Sequence, residues 1–328
     1  MRLIACLAAA AVLVAAEADP LAALPVLPRP QPAVAAQPPI DPAAGAALGP
    51  GVRFVPASHV VLDGRVQIDR GPADGLEVLA CLRDGKTHEA LIRLDTNAGD
   101  VVKAACLAAF GPKDGKPAEE GRGVPARGLP VRLTVQWRDE DGAWRSVDAA
   151  ALVRDRRTDR PYPPLPWVWT GSRILLVTET GPDGKPVRRE RFMLDSTRSV
   201  AVNFDEPDAL LASPFPVAGE DQRFEVNSAI APPAGTVVQL ILAPAQPVLG
   251  MRLQRDGTLL RGDMAFPDKA LGEQLAEAYG VEAKPAHRAL FLQVSDEVGD
   301  EQLVATRQRI LAVAAQAKAW VVPLFVPE

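Results

Sequence analysis

Proline constrains this chain more than any other residue. Each one fixes φ near −65° and removes a backbone donor, which bars it from the interior of a helix and the centre of a sheet. There are 32 in 328 residues, against 5% aromatic residues, so long helical bundles and aromatic-rich binding platforms are both disfavoured. Their placement is uneven. Nine lie between Pro20 and Pro50, in a stretch (19–52) made almost only of Ala, Pro, Leu, Val, Gln and Gly. Neither helix nor central strand persists in such a composition, and the expectation is an extended, polyproline-like tether. Another cluster, Pro161, Pro163, Pro164 and Pro166, precedes Trp167, while the helical segments near the C-terminus are almost free of proline.

Before the tether, Arg2 precedes an apolar run over residues 3–16 that ends in small residues at Ala16 and Ala18. This is the pattern of a secretory signal peptide (1–18), and it predicts export to the periplasm or medium with cleavage near Ala18. The apolar run is shorter than the roughly 18 residues of a spanning helix, and no later run is long enough, so no membrane span is expected in the mature chain. Composition narrows the partners. Net charge is −5 with no extended Lys/Arg run, which argues against nucleic acid. Three His and three Cys, one of the Cys inside the signal segment, leave few ligands for zinc or an iron–sulfur cluster. No cofactor is indicated.

The remaining length suits two domains, 53–247 and 248–328, in an α+β fold. The first reads as β-rich. Asp-Gly pairs favour tight turns, and Asp63-Gly64 is expected to turn a hairpin between strands 59–62 and 65–68. Strands 76–82 and 88–95 follow around a Gly turn. A single main helix fits 98–110, where Val101, Val102, Ala105, Cys106 and Ala109 share a face and Gly111-Pro112 ends it. Further strands are expected at 131–137, 144–153, 174–179, 200–204 and 236–243. The second domain reads as an α/β module. It has a hairpin around Asp256-Gly257, a helix opened by Pro267 and closed by Gly280, a strand at 289–294, a helix at 301–317 and a strand at 320–326. That order implies a right-handed parallel crossover.

Two resemblances attach to these regions. The segments Leu76-Glu77-Val78-Leu79-Ala80-Cys81 and Gly85-Lys86-Thr87-His88-Glu89-Ala90-Leu91-Ile92, with Trp167-Val168-Trp169-Thr170-Gly171-Ser172 and Val202-Asn203-Phe204, resemble the YdjY-like domain of exported proteins from planctomycete-type bacteria. The resemblance implies an envelope domain without established chemistry. The C-terminal order, with Leu253-Gln254-Arg255-Asp256-Gly257-Thr258-Leu259 and Leu290-Phe291-Leu292-Gln293-Val294-Ser295-Asp296, resembles the periplasmic domain of the biopolymer-transport ExbD family. That implies self-association or contact with another envelope protein through this module. The family's membrane helix and its proton-linked acid have no counterpart here, so proton-driven energy transduction is not inherited.

Candidate site residues are few. Cys81, His88 and Glu89 together are a possible metal-ligand set or a nucleophile with its base. Strand alternation sets His88 and Glu89 on opposite faces, and the competing reading has His88 buttressing the Gly85 turn while Lys86 and Glu89 are solvated. Trp167 and Trp169 share a face and either line a ligand groove or close the core. Cys81 and Cys106 are either a disulfide or two buried thiols. Asp296, Glu297, Asp300 and Glu301 either hold a cation or serve the start of the last helix. The expected function is an exported envelope binding or assembly protein. The alternative is a metal- or redox-linked module, or an enzyme, built on Cys81, His88 and Glu89.

Overall fold

The computed structural model describes residues 19, 21–27, 40–41, 45–111, 114–119, 123–217, 219–220 and 222–328. The signal segment and most of the proline-rich stretch lie outside these residues. Three strands open the fold, β1 (Ala46–Gly49), β2 (Val52–Val55) and β3 (His59–Val66), followed by β4 (Val78–Cys81), β5 (Ala90–Leu94) and helix α1 (Gly99–Phe110). Then come β6 (Leu129–Arg138), β7 (Trp144–Asp148), β8 (Val153–Asp155), β9 (Arg160–Pro161) and β10 (Trp167–Trp169). A long hairpin, β11 (Ile174–Thr180) and β12 (Pro186–Phe192), leads through the short α2 (Leu194–Thr197) to β13 (Ser199–Val202), β14 (Leu211–Ala212), β15 (Phe224–Val226) and β16 (Val237–Pro244). The C-terminal unit is β17 (Leu249–Leu253), β18 (Leu259–Arg261), β19 (Met264–Ala265), α3 (Asp268–Tyr279), β20 (Ala289–Val294), α4 (Asp300–Gln316) and β21 (Val322–Pro327). The fold is α+β and β-rich, as expected from the sequence.

The main sheet closes on itself. Its path β3-β16-β6-β10-β14-β13-β4-β5 returns to the start because β5 also pairs with β3, through Gly64 and Leu94. One edge of β3 is therefore shared, with β2 along its first half and β5 along its second. Closure satisfies the backbone groups that an open sheet would leave at its edges. Helix α1 packs against β2, β3 and β16, burying Val102, Ala105, Cys106 and Ala109.

Three local expectations are corrected. Asp63-Gly64 turns no hairpin, because β3 runs straight through it. A Cβ at Gly64 would stand 2.7 Å from the Arg93 carbonyl oxygen, so glycine is there to admit β5. Strands β4 and β5 are parallel rather than a hairpin, joined by an eight-residue return loop, 82–89. The proline-rich stretch is not wholly a tether. Its proline-free end, Ala46–Gly49, pairs with β2, and Leu24 is buried against the core. By contrast Asp141-Gly142, Asp183-Gly184 and Asp256-Gly257 do turn hairpins, β6–β7, β11–β12 and β17–β18.

The C-terminal sheet has the order β19-β18-β17-β20-β21, with β17, β20 and β21 parallel, as the sequence pattern implies. It packs directly on the first unit. The Gly128 amide donates to the Phe325 carbonyl at 2.9 Å, the Arg288 amide to the Pro164 carbonyl at 2.9 Å, and Arg307 to the Gly123 carbonyl at 2.8 Å. One continuous apolar cluster runs from Leu24 through the ring to Phe325. No helix among the described residues is long and apolar enough to cross a membrane.

Candidate functional site

The return loop between β4 and β5 brings Lys86, His88 and Glu89 together. It is held by the Leu82 amide donating to the Arg198 carbonyl (2.8 Å) and the Arg83 amide to the Thr96 carbonyl (2.9 Å). A Cβ at Gly85 would lie 2.8 Å from Cβ of Cys81, so the loop folds tightly over the end of β4. Lys86 Nζ then reaches Glu89 Oε1 and Glu206 Oε2, both at 3.3 Å. Burial alone would lower the ammonium's pKa, but Glu206 and Glu89 override it and hold Lys86 above its usual range. His88 is exposed, with Nε2 3.9 Å from Glu89 Oε2. Glu206, from the segment after β13, has no motif around it and was not singled out by the sequence.

Cys81 does not join this group. It is completely buried beneath the loop with Val78, Ala90, Val202 and Ala209, and desolvation pushes its thiol up to about 12. A thiol so placed stays protonated at neutral pH and is neither nucleophile nor ligand. His88 and Glu89 lie in the loop, not on a strand, so the alternation expected of them does not apply. Lys86 is not simply solvated either, since it ties the loop to Glu206. Among the described residues, no group of three or more His, Cys, Asp and Glu has metal-binding geometry.

Cys106 is a buried free thiol, as is Cys81, so the disulfide does not form. The two belong to different apolar clusters, Cys106 to the main core and Cys81 to the small one under the loop. Trp167 and Trp169 are core residues: neither ring has more than 1% of its surface exposed. Trp167 Nε1 donates to the Val202 carbonyl at 2.8 Å, and Trp169 meets Phe110 edge to face at 6.2 Å. They brace the β10 segment where the prolines deliver it to the sheet. The acids near α4 are dispersed. Asp300 pairs with Arg127 at 3.4 Å, while Asp296 is almost fully exposed.

No family model, curated protein or solved structure matches this chain. The site is therefore read from geometry alone. A cavity of about 60 Å³ lies between the units beside Phe215, Arg307 and Leu324, well under the roughly 300 Å³ of small-molecule sites. A larger depression over Val124, Asp300 and Val304 is open to solvent.

The β11–β12 hairpin forms a sheet of its own. Among the described residues its two strands pair only with each other, over seven residue pairs from Ile174–Phe192 to Thr180–Pro186. Ile174 and Leu176, two residues apart and so on one face, are 59% and 62% exposed. The two edges differ. Strand β12 carries Arg188, Arg189 and Arg191 and begins with Pro186, devices that discourage strand pairing. Strand β11 has no charge before Glu179. At its base the ribbon is fixed by Arg173 on Asp208 (2.6 Å) and by Lys103 over the Phe192 ring (5.3 Å).

Proposed function

We propose that this protein is an exported component of the cell envelope that works by binding or assembly, with the β11–β12 ribbon as its recognition element. The observation that carries the reading is the ribbon itself. An isolated two-stranded hairpin is only marginally stable in water, and here the chain commits nineteen residues (174–192) to one, leaving an edge with no charge before Glu179 and two large aliphatic side chains in solvent. Such an edge accepts a further strand through main-chain hydrogen bonds. The signal-peptide pattern and the YdjY-like resemblance support export and an envelope setting.

Contact through the C-terminal module, implied by the ExbD-like resemblance, has less surface behind it. One edge of that sheet, β21, lies against Arg127 and Gly128, and the other, β19, is two residues long. The metal, redox or enzyme alternative draws no support from a site whose cysteine is buried and protonated. A photo-reactive residue placed at Leu176 in the full exported chain tests the proposal, with the exposed Val237 as control position. A discrete cross-linked species specific to position 176 is expected, either a dimer or a single adduct. A folded, exported chain that cross-links equally or not at all from both positions would reject the reading.

A further inference from the structure

The most buried arginine among the described residues immediately precedes β15. Arg223, whose side chain is 1% exposed, donates to Asp155 Oδ2 at 2.6 Å, Glu220 Oε2 at 2.9 Å and Asp19 Oδ2 at 2.8 Å. Two of these partners are local to the sheet and its loop. Asp19 comes from more than two hundred positions away, at the first residue the structure describes. Its other carboxylate oxygen accepts from the Leu21 amide at 2.8 Å and its carbonyl from the Ala22 amide at 3.0 Å, so Asp19 itself starts the turn that delivers Leu24 to the core. Arg160 then holds the Leu27 carbonyl.

Among the described residues the socket holds more carboxylates than cations. Asp19, Asp155 and Glu220 share the guanidinium of Arg223, and among the described residues Arg157, on Glu220 at 2.8 Å, brings a second. Three carboxylates thus meet two cations. The Tyr162 hydroxyl is buried beside the Arg223 guanidinium, close to Asp155 and Asp19. Asp155 is the buried one of the three, while the Asp19 and Glu220 side chains keep 16% and 28% of their surface exposed, and a buried carboxylate normally carries compensation. A cation that is absent from the precursor but arises at Asp19 would complete the set.

We propose that this socket is the receptor for the amino terminus produced by cutting the Ala18–Asp19 peptide bond. Two independent observations converge on that bond: Ala16 and Ala18 form the small-residue cleavage pattern, and the residue immediately after it is the one seated on Arg223. Hydrolysis by an envelope signal peptidase breaks the Ala18 carbonyl–nitrogen bond. Water supplies the hydroxyl of the new Ala18 carboxylate, and the Asp19 nitrogen takes up protons to become an ammonium. The ammonium adds a positive charge at the residue whose carboxylate is seated on Arg223. A peptidase needs the scissile bond extended in its cleft, so seating follows cutting.

The inference rests on the export reading above, and the test separates the two. The full-length gene is expressed in its own envelope, and the product's intact mass and amino-terminal sequence are determined. Thermal midpoints are then compared for the wild type, Asp19→Asn and Arg223→Met, neither of which alters the Ala16/Ala18 pattern. The expected result is a chain beginning at Asp19, with a midpoint that falls by several degrees in Asp19→Asn. An exported chain with any other terminus overturns this inference alone, as does an Asp19→Asn midpoint equal to wild type. An unprocessed chain retained in the cytoplasm overturns both. If Arg223→Met does not fold, the Asp19→Asn comparison decides.

Discussion

His287 uses both ring nitrogens in its neutral form. Its Nε2 donates to the Gln246 carbonyl at 2.6 Å, at the join between the two units, while Nδ1 accepts from the Ala289 amide at 3.3 Å and the ring stacks on Phe291. Protonation would set an Nδ1 proton against the Ala289 N–H. Burial, aided by Arg132, holds its pKa below the usual histidine range, although the Gln246 carbonyl pulls the other way. The native state therefore binds fewer protons than the unfolded chain. Stability is fully present above the unfolded value of about 6.5 and is lost as pH falls through the lower folded value. Urea midpoints measured at neutral pH and below about pH 6 are expected to drop in the wild type and to drop less in His287→Gln. His59, also lowered by burial, accounts for part of what remains. An undiminished pH slope in His287→Gln would remove this residue from the account. None of this was visible in the sequence, where His287 has no motif. What the sequence offered at this scale was Cys81 beside His88. Cys81 packs downward under the Gly85 turn, and no spacing rule shows that.

Among the elements, helix α3 shows how a buried cation serves a helix end. The Arg288 guanidinium donates to the Tyr279 carbonyl at 3.0 Å, the Ala283 carbonyl at 2.8 Å and the Trp320 carbonyl at 3.4 Å. The first of these is an end carbonyl with no partner inside the helix. Burial lowers the pKa of Arg288, yet the group is held by three carbonyls. Arg288→Met is expected to cost about 2–3 kcal/mol in urea denaturation; a change within about 0.5 kcal/mol would show that water replaces the cation there. Elements were largely legible. The 3.6-residue stripes of α1 and α3 and the strands of the C-terminal unit fall close to where their patterns predict, because each buries one face against a single layer. Pairing was less legible. Asp-Gly signals a turn only where the chain is free to reverse, and at Gly64 the same dipeptide instead makes room for a crossing backbone. The parallel return from β4 to β5 was equally hidden, since an eight-residue loop containing glycine reads as a hairpin.

At the scale of the molecule the two units share one core and several main-chain hydrogen bonds, so they are expected to unfold together. Scanning calorimetry should give a single transition whose calorimetric and van't Hoff enthalpies agree; two resolved peaks would restore the picture of separate domains. The boundary near residue 247 coincides with a change of sheet. Ring closure has a consequence in time. Arg65 of β3 pairs with Val237 of β16, and β6 is held on the other side of β16. Until β16 has been synthesised, β3 lacks the partner that spans most of its length. Pairings this distant are slow to form because the intervening loop must close first. In a chain of this topology the ring can close only after β16, about three-quarters of the way along the sequence, has been made.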